Sequence, residues 1–338
     1  MKSLTFNNSC HIPDFLPDHK KTFRENSDLF FQEALVVIPL LKEKDLTLTY
    51  FQAGVGSIVA KIETDSQEKY VIKTSETSNQ ILNEIHTYKI MKRSGMKVPN
   101  VYFAKIDNLY PFYLMEYFEE ETLLDQLHNR TKSPKEVGVI KSESLCKTNT
   151  IQGKGYGWSM GLENGFPFGN FENLETFFEE WLKKREYLEI LSERYPKVDW
   201  EEEIDYHINI TRRSNHNTKS CLGIFDLQEA HFFMTEPPTL FDGNIRLEPE
   251  YFDMAMILLP SKLGEQESEV LESLITQYRE KNAHINIQAL TSAIWLQAYR
   301  KSANLLKNPN EVRTSRAEYV LNIISDKEKL NMYIKNWF

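Results

Sequence analysis

The order of local patterns along the chain constrains its fold more than any single motif does. From Leu46 the sequence reads strand, strand, strand, helix, strand, strand, and beyond about residue 120 it reads mainly helix. Leu46-Thr47-Leu48-Thr49-Tyr50-Phe51 is rich in β-branched and aromatic residues. Residues 57–62 and 69–73 repeat that character on either side of the turn-forming run 63–68. Residues 79–94 place Ile81, Leu82, Ile85, Tyr88 and Met91 at helical spacing, with Gly95 as the stop and Pro99 just beyond. Two further strands are expected at 100–106 and 112–117. This mixed order excludes a simple repeating βαβ unit.

The second half is built differently. Residues 174–192 carry Leu174, Phe177, Phe178, Trp181, Leu182 and Leu188 on one broad apolar face and predict a single helix. Helices are also expected at 199–210, 268–280, 287–306 and 312–324, with a last one from residue 326 onward. Residues 221–225 and 232–234 read as short strands, and 128–170 show no regular pattern. Residues 1–45 read as an N-terminal helical extension, its helix capped by Ser27 or Asp28. The expected fold class is therefore α+β and two-lobed. A β-rich lobe with one key helix (46–118) precedes a mainly helical lobe (119–338), and residues near 119–124 connect them.

Composition sets limits on what such a chain does. Its 338 residues are 41% hydrophobic and 26% charged, enough apolar material for a sizeable core. The formal net charge of −9 argues against a general nucleic-acid binder, which needs clustered cations, and is compatible with a cationic small molecule. No stretch approaches the roughly 18 apolar residues of a membrane span. The start, Met1-Lys2-Ser3-Leu4-Thr5, lacks the apolar segment of a signal peptide, so a cytoplasmic protein is expected. Cys10, Cys146 and Cys221 fit no Cys/His zinc spacing and read as reduced thiols.

Several residues carry chemistry only as a set. Gly54-Val55-Gly56-Ser57 falls between two strands, where glycines let backbone N–H groups approach phosphate oxygens. Lys73 ends an apolar strand, and Glu84 follows on the next helix, a pairing that can hold an ammonium group for gripping phosphates. Asp226 follows the apolar run Leu222-Gly223-Ile224-Phe225 and can orient a hydroxyl. Asp242 follows Thr239-Leu240-Phe241 and offers the oxygen ligand that Mg²⁺ prefers.

The order glycine segment, Lys, helix Glu, apolar hinge, Asp, Asp resembles the aminoglycoside phosphotransferase and choline kinase superfamily, including its fructosamine kinase-like members. Residues 83–102, with Gly95 and Val98-Pro99, resemble its helix-Gly-Val-Pro segment. Leu114-Met115-Glu116-Tyr117-Phe118 resembles its hinge, and Glu248-Pro249-Glu250-Tyr251-Phe252-Asp253-Met254-Ala255 resembles its Asp-Pro-x-Tyr-Asp-Leu-Ala stretch. The likeness spans about residues 46–306. It implies ATP and Mg²⁺ as cofactors and a small molecule as partner. Gly54, Gly56 and Ser57 would cover the phosphates, Lys73 would contact them and Glu84 would orient Lys73. Backbone near Glu116 and Phe118 would meet adenine. Asp226 would be catalytic, and Asp242 would hold the metal.

The catalytic motif departs from the superfamily's His-Gly-Asp-x-His-x-x-Asn. Ile224 and Phe225 replace the first His and Gly, Gln228 the second His, and His231 the metal-binding Asn. Imidazole is a poorer donor than oxygen for Mg²⁺, and Glu229 is an alternative oxygen ligand. Two functions follow. One is a kinase that phosphorylates a hydroxyl of a small molecule, with Glu172, Glu175, Glu179 and Glu180 favouring an amine-bearing one. The other is a kinase-like module that binds nucleotide or protein without phosphotransfer.

Overall fold

The computed structural model describes residues 1–14, 16–52, 57–214, 220–224, 227–242, 245–259, 265–282 and 285–337. The N-terminal lobe is one six-stranded sheet: β1 (Ser3–Phe6), β2 (Asp45–Tyr50), β3 (Ile58–Thr64), β4 (Lys69–Thr74), β5 (Val101–Lys105) and β6 (Phe112–Glu116). Its spatial order is β1-β2-β3-β4-β6-β5, antiparallel except that β1 joins β2 in parallel.

The first 45 residues, expected as a helical extension, form part of this lobe. Besides β1, they supply α1 (Asp18–Glu25) and α2 (Ser27–Val36). Phe31, Leu35, Ile38 and Leu41 pack with Leu48, Ile62, Ile72, Phe112 and Leu114 in one core. Alternation on the central strands shows why. Ile72, Phe112 and Leu114 point into that core, while Val71, Tyr113 and Met115 point into the larger core shared with the rest of the chain. A sheet buried on both faces needs a second cover, and residues 1–45 provide it. On the other face lies α3 (Ser78–Arg93), which ends at Gly95 in the left-handed region (φ 79°), with Met96 N donating back to Met91 O at 3.1 Å.

The second lobe begins with α4 (Leu123–His128) and α5 (Pro134–Asn149), both opened by capping boxes, at Thr122/Asp125 and Ser133/Glu136. The stretch read as irregular thus holds α5 and, beyond the short β7 (Gln152–Gly153), the hairpin β8 (Tyr156–Glu163) and β9 (Phe166–Phe171). The helix escaped notice because its buried face uses small and polar residues, among them Gly138, Ser142 and Thr148. Gly138 lets α5 approach closely, since a Cβ there would lie 2.5 Å from Val270 O. The helix expected at 174–192 is two, α6 (Leu174–Trp181) and α7 (Arg185–Arg194).

Next come α8 (Trp200–Ser214), β10 (Ser220–Ile224), β11 (Phe232–Phe233), β12 (Thr239–Leu240), β13 (Ile245–Glu248) and α9 (Phe252–Ile257). The chain closes with α10 (Glu265–Lys281), α11 (Ile287–Lys307), α12 (Glu311–Ile324) and α13 (Lys327–Lys335). Strands β7-β10-β13-β8-β9 form a second sheet. Helix α10 packs on α5, while α11 lies at the centre of the helical layer with Trp295, Leu296 and Tyr299 buried. No helix among the described residues is long and apolar enough to cross a membrane.

Candidate active site

Strand β4 places Lys73 opposite Val59 of β3 and Tyr113 of β6, pointing away from the N-terminal helices. Its ammonium lies between two carboxylates, 2.8 Å from Glu84 Oε1 and 2.6 Å from Asp242 Oδ1. Lys73 and Glu84 are almost fully buried (side chains 7% and 8% exposed), whereas Asp242 is 42% exposed. Burial alone would favour neutral lysine, but Glu84 and Asp242 outweigh it and hold the Lys73 pKa above its ordinary value. The other Glu84 oxygen accepts from Tyr113 OH at 2.6 Å. Both oxygens of this buried carboxylate are therefore satisfied.

One turn along α3 from Glu84, Tyr88 reaches the third member. Its hydroxyl accepts from Asp242 N at 3.3 Å. Burial and the neighbouring Glu84 carboxylate push the Tyr88 pKa up to about 12, so it stays neutral at physiological pH. Asp242 itself has φ 51°, in the left-handed region that a residue with a Cβ enters at about 1–2 kcal/mol. Lys73 and Tyr88 hold it there. In the sequence Tyr88 reads only as an apolar helix position and Tyr113 only as part of the strand at 112–117; the spacing of Tyr88, four residues after Glu84, was the available signal.

The remaining expected residues divide. Gly54, Gly56 and Asp226 lie outside the described residues. Ile224, which ends β10, and Ile245, which opens β13, are register partners. Ser57 is buried, its hydroxyl accepting from Gln80 Nε2 at 3.0 Å. Glu116 braces the hinge: its carboxylate accepts from Asn100 N and Nδ2 at 3.2 and 2.8 Å, and its own amide donates to Asn100 O at 2.9 Å. That amide is thereby spent within the lobe. Phe118 packs on Phe233 (5.1 Å between ring centroids), and Phe233 stacks on Phe241 at 4.4 Å, next to Asp242. An aromatic floor thus joins the hinge to the Asp242 end of the cleft.

His231 sets its ring edge-on to Phe241. Glu229 is held by Lys141 of α5 at 2.6 Å, a nearly buried lysine that the sequence reading missed. Among the described residues, no cluster of three or more His, Cys, Asp or Glu side chains could enclose a metal ion. Mg²⁺ bound through phosphates needs only one or two carboxylates, and half-exposed Asp242 suits that role. Beside Glu84 lies a cavity of about 320 Å³ lined also by Gln80, Asn83, Thr87, Trp158 and Ile245. The acidic run lies elsewhere: Glu175 pairs with Arg212 at 3.4 Å and Glu179 with Lys183 at 3.2 Å on the surface of the helical lobe.

A strand-borne lysine paired to a helix glutamate, an extended hinge and a helical second lobe define a two-lobed, protein-kinase-like fold. Its structural neighbours are small-molecule kinases. The chain is similar to a thermostable variant of the aminoglycoside phosphotransferase APH(4)-Ia in ternary complex with AMP-PNP and hygromycin B. The TM-score is 0.56 at 10% identity, over 89% of this chain and 98% of that one. It is similar to a putative fructosamine-3-kinase from Thermobifida fusca (TM-score 0.54, 12% identity, 90% and 98%). It is also similar to an ethanolamine kinase from Plasmodium vivax (0.52, 13%, 97% and 99%). These likenesses establish the fold. No family model and no curated protein sequence matches the chain.

Proposed function

We propose that the chain is an ATP- and Mg²⁺-dependent phosphotransferase that acts on a hydroxyl of a small molecule. The observation that carries the proposal is the Lys73 ammonium held between Glu84 and Asp242. A buried ion pair is weak evidence for stability as such, and two strained or desolvated partners around one lysine are better explained by a ligand. Lys73 would grip nucleotide phosphates, kept in place by Glu84 and, behind it, Tyr113. Asp242 would hold Mg²⁺, which when bound neutralises phosphate charge. Asp226 would orient the acceptor hydroxyl, and His231 stands where the resemblance puts a second metal ligand. Phe118 and Glu116 would border adenine. The structures of neighbours bound to AMP-PNP or ADP support the nucleotide.

The acceptor is the open part. Surface cations already pair Glu175 and Glu179, so the acidic helix gives little support to an amine-bearing substrate. The cavity beside Glu84 presents two amides, a hydroxyl and an indole, suited to a small polar molecule.

A second reading keeps the nucleotide and drops the transfer. It is favoured by the Lys141–Glu229 pair, which takes the alternative metal-binding oxygen, and by the imidazole of His231 in place of an amide. Thermal unfolding with and without MgATP, followed by a turnover screen over amino sugars, amino alcohols, glycated amines and neutral sugars, separates the two. Stabilisation by ATP that requires Mg²⁺, disappears in Asp242→Ala and accompanies turnover is the expected outcome. Stabilisation without turnover of any acceptor would leave the second reading. Stabilisation by neither ATP nor metal would end both.

A further inference from the structure

The cavity beside Glu84 is walled by both lobes. Helix α3 supplies Gln80, Asn83, Glu84 and Thr87, β8 supplies Trp158, and β13 supplies Ile245, three residues beyond Asp242. Its volume of about 320 Å³ lies at the lower end of small-molecule pockets, about 300–1,000 Å³. Among the described residues of this wall, Glu84 is the only carboxylate, and its two oxygens are engaged by Lys73 and Tyr113. Gln80 is fixed in orientation, because its Nε2 donates to Ser57 Oγ at 3.0 Å and its Oε1 accepts from Ser75 Oγ. Its amide keeps capacity for one further donated and one further accepted bond. Thr87 Oγ1 donates to Asn83 O at 2.7 Å, so towards a ligand it acts as an acceptor. Donors and acceptors side by side suit hydroxyl groups, which both donate and accept. An ammonium group only donates, and this wall gives it no carboxylate of its own.

A positive charge lies against the aromatic part of the wall. Arg246 is the register partner of Trp158 across β13 and β8, and its guanidinium carbon lies 3.7 Å from the centre of the Trp158 ring. Arg246 is buried, and with a pKa of about 9 it stays charged at neutral pH. Glu248, 3.9 Å from Arg246, is only 1% exposed and does not line the cavity. A ligand cation drawn to Trp158 would therefore share its ring with a guanidinium already there, and the two would repel each other. The C–H face of a sugar or polyol meets no such penalty and still gains contact with the indole.

We propose that this cavity is the acceptor subsite and that it takes a neutral polyhydroxyl molecule, a sugar or a polyol, in preference to an amine-bearing one. Trp158 stacks on the ligand, the amides of Gln80 and Asn83 and the Thr87 hydroxyl bind its hydroxyls, and Arg246 repels cations through the indole. The acceptor role rests on the phosphotransferase reading; the preference for a neutral ligand rests on the wall itself.

The test uses matched pairs at pH 6, where the amines are protonated: glucose with glucosamine, sorbitol with glucamine, and glycerol with 3-aminopropane-1,2-diol. Turnover with MgATP gives kcat/KM for each member, and saturation-transfer NMR in the presence of MgAMP-PNP reports binding without turnover. Expected is a kcat/KM at least about tenfold higher for the neutral member of each pair that turns over. Saturation transfer to the neutral members should be lost in Trp158→Ala and weakened in Trp158→Phe. In Arg246→Met the neutral-to-amine ratio should fall towards one, and because it is taken within one preparation, loss of active protein cancels. Should Arg246→Met not fold, the wild-type ratio and the Trp158 variants still decide. An amine used as well as its neutral counterpart would overturn the proposal and leave phosphotransfer standing. Binding that survives Trp158→Ala, or no binding of any neutral member, would overturn it as well. Neutral ligands that bind through Trp158 without turnover of any pair would remove the phosphotransferase reading and keep the subsite.

Discussion

The chain buries two groups of charge, and they are built on opposite plans. Around Lys73, each buried charge meets an opposite charge within hydrogen-bonding distance, and the group opens to the cleft through half-exposed Asp242. In the helical lobe, Arg246, Glu248, Asp253 and Arg300 are all nearly inaccessible. There Glu248 lies 3.9 Å from Arg246, and neither of its oxygens has a hydrogen-bond partner among the described residues. Aromatic faces do much of the work: Arg246 lies 3.7 Å from the Trp158 ring centroid, and Arg300 lies 4.2 Å from that of Trp181. Burial raises the Glu248 pKa and lowers that of Arg246 to about 9. Burial of charge alone therefore does not mark the working site. The group around Lys73 differs in having a partner for each buried charge and one exposed member.

The largest effect should come from breaking the complete group. Lys73→Met leaves Glu84 buried beside Tyr113 without its cation, and removing one partner of a buried pair costs about 3–5 kcal/mol. Urea unfolding should show that loss, and stabilisation by MgATP should vanish with it. A destabilisation below about 1 kcal/mol would mean that the pair is no better compensated than the Glu248 group. No pH signature is expected near neutrality. The Lys73 pKa is raised, so its contribution is full below about 10.4, the value for free lysine, and fades only above that.

The incomplete group should respond to pH instead. Asp253 is buried, and its carboxyl is raised to about 7 first by that burial and then by Glu248. Asn149, its amide nitrogen turned towards Asp253, donates to Oδ2 at 2.6 Å. The unfolded chain loses this proton near pH 3.9, the folded chain only near 7. Between these values the folded state holds the extra proton, so the Asp253 contribution to stability falls as pH rises, by up to about 1.4 kcal/mol per unit. In Asp253→Asn that slope should disappear. Urea unfolding of both proteins at pH 5, 6, 7 and 8 should show the variant gaining on the wild type up to pH 7 and no further. A difference that stays constant with pH would show that Asp253 is charged throughout.

These contrasts also explain what was legible in the sequence. Strand order, the α3 stop at Gly95 and the Lys73–Glu84 pair were readable because each depends on local pattern or on one short-range pairing. The cover formed by residues 1–45 was not, because β1 joins β2 across more than 40 residues and is only four residues long. Helix α5 was missed because close packing on α10 selects Gly138 and Ser142 where an apolar stripe would be expected. Tyr88 and Tyr113 look like ordinary core residues until their hydroxyls are seen to complete the site. The Lys141–Glu229 contact joins residues 88 apart, and no local signal announces it.

The smallest effect is reserved for charges that look functional in the sequence and are neither buried nor incomplete. Helix α6 buries Phe177 and Phe178 and turns its glutamates outward. Glu179 lies 3.2 Å from Lys183, which Asp205 also approaches to 2.7 Å, so Lys183 keeps a partner when Glu179 is removed. Glu175 is 62% exposed and lies 3.4 Å from Arg212. Exposed pairs of this kind contribute about 0–1 kcal/mol and are screened by salt. Glu175→Gln and Glu179→Gln should each change unfolding stability by less than about 0.5 kcal/mol and leave acceptor KM unchanged once an acceptor is known. A KM raised for amine-bearing acceptors alone would return this helix to the substrate cleft. It would also make exposed charge, in place of the cavity beside Glu84, the feature that sets specificity.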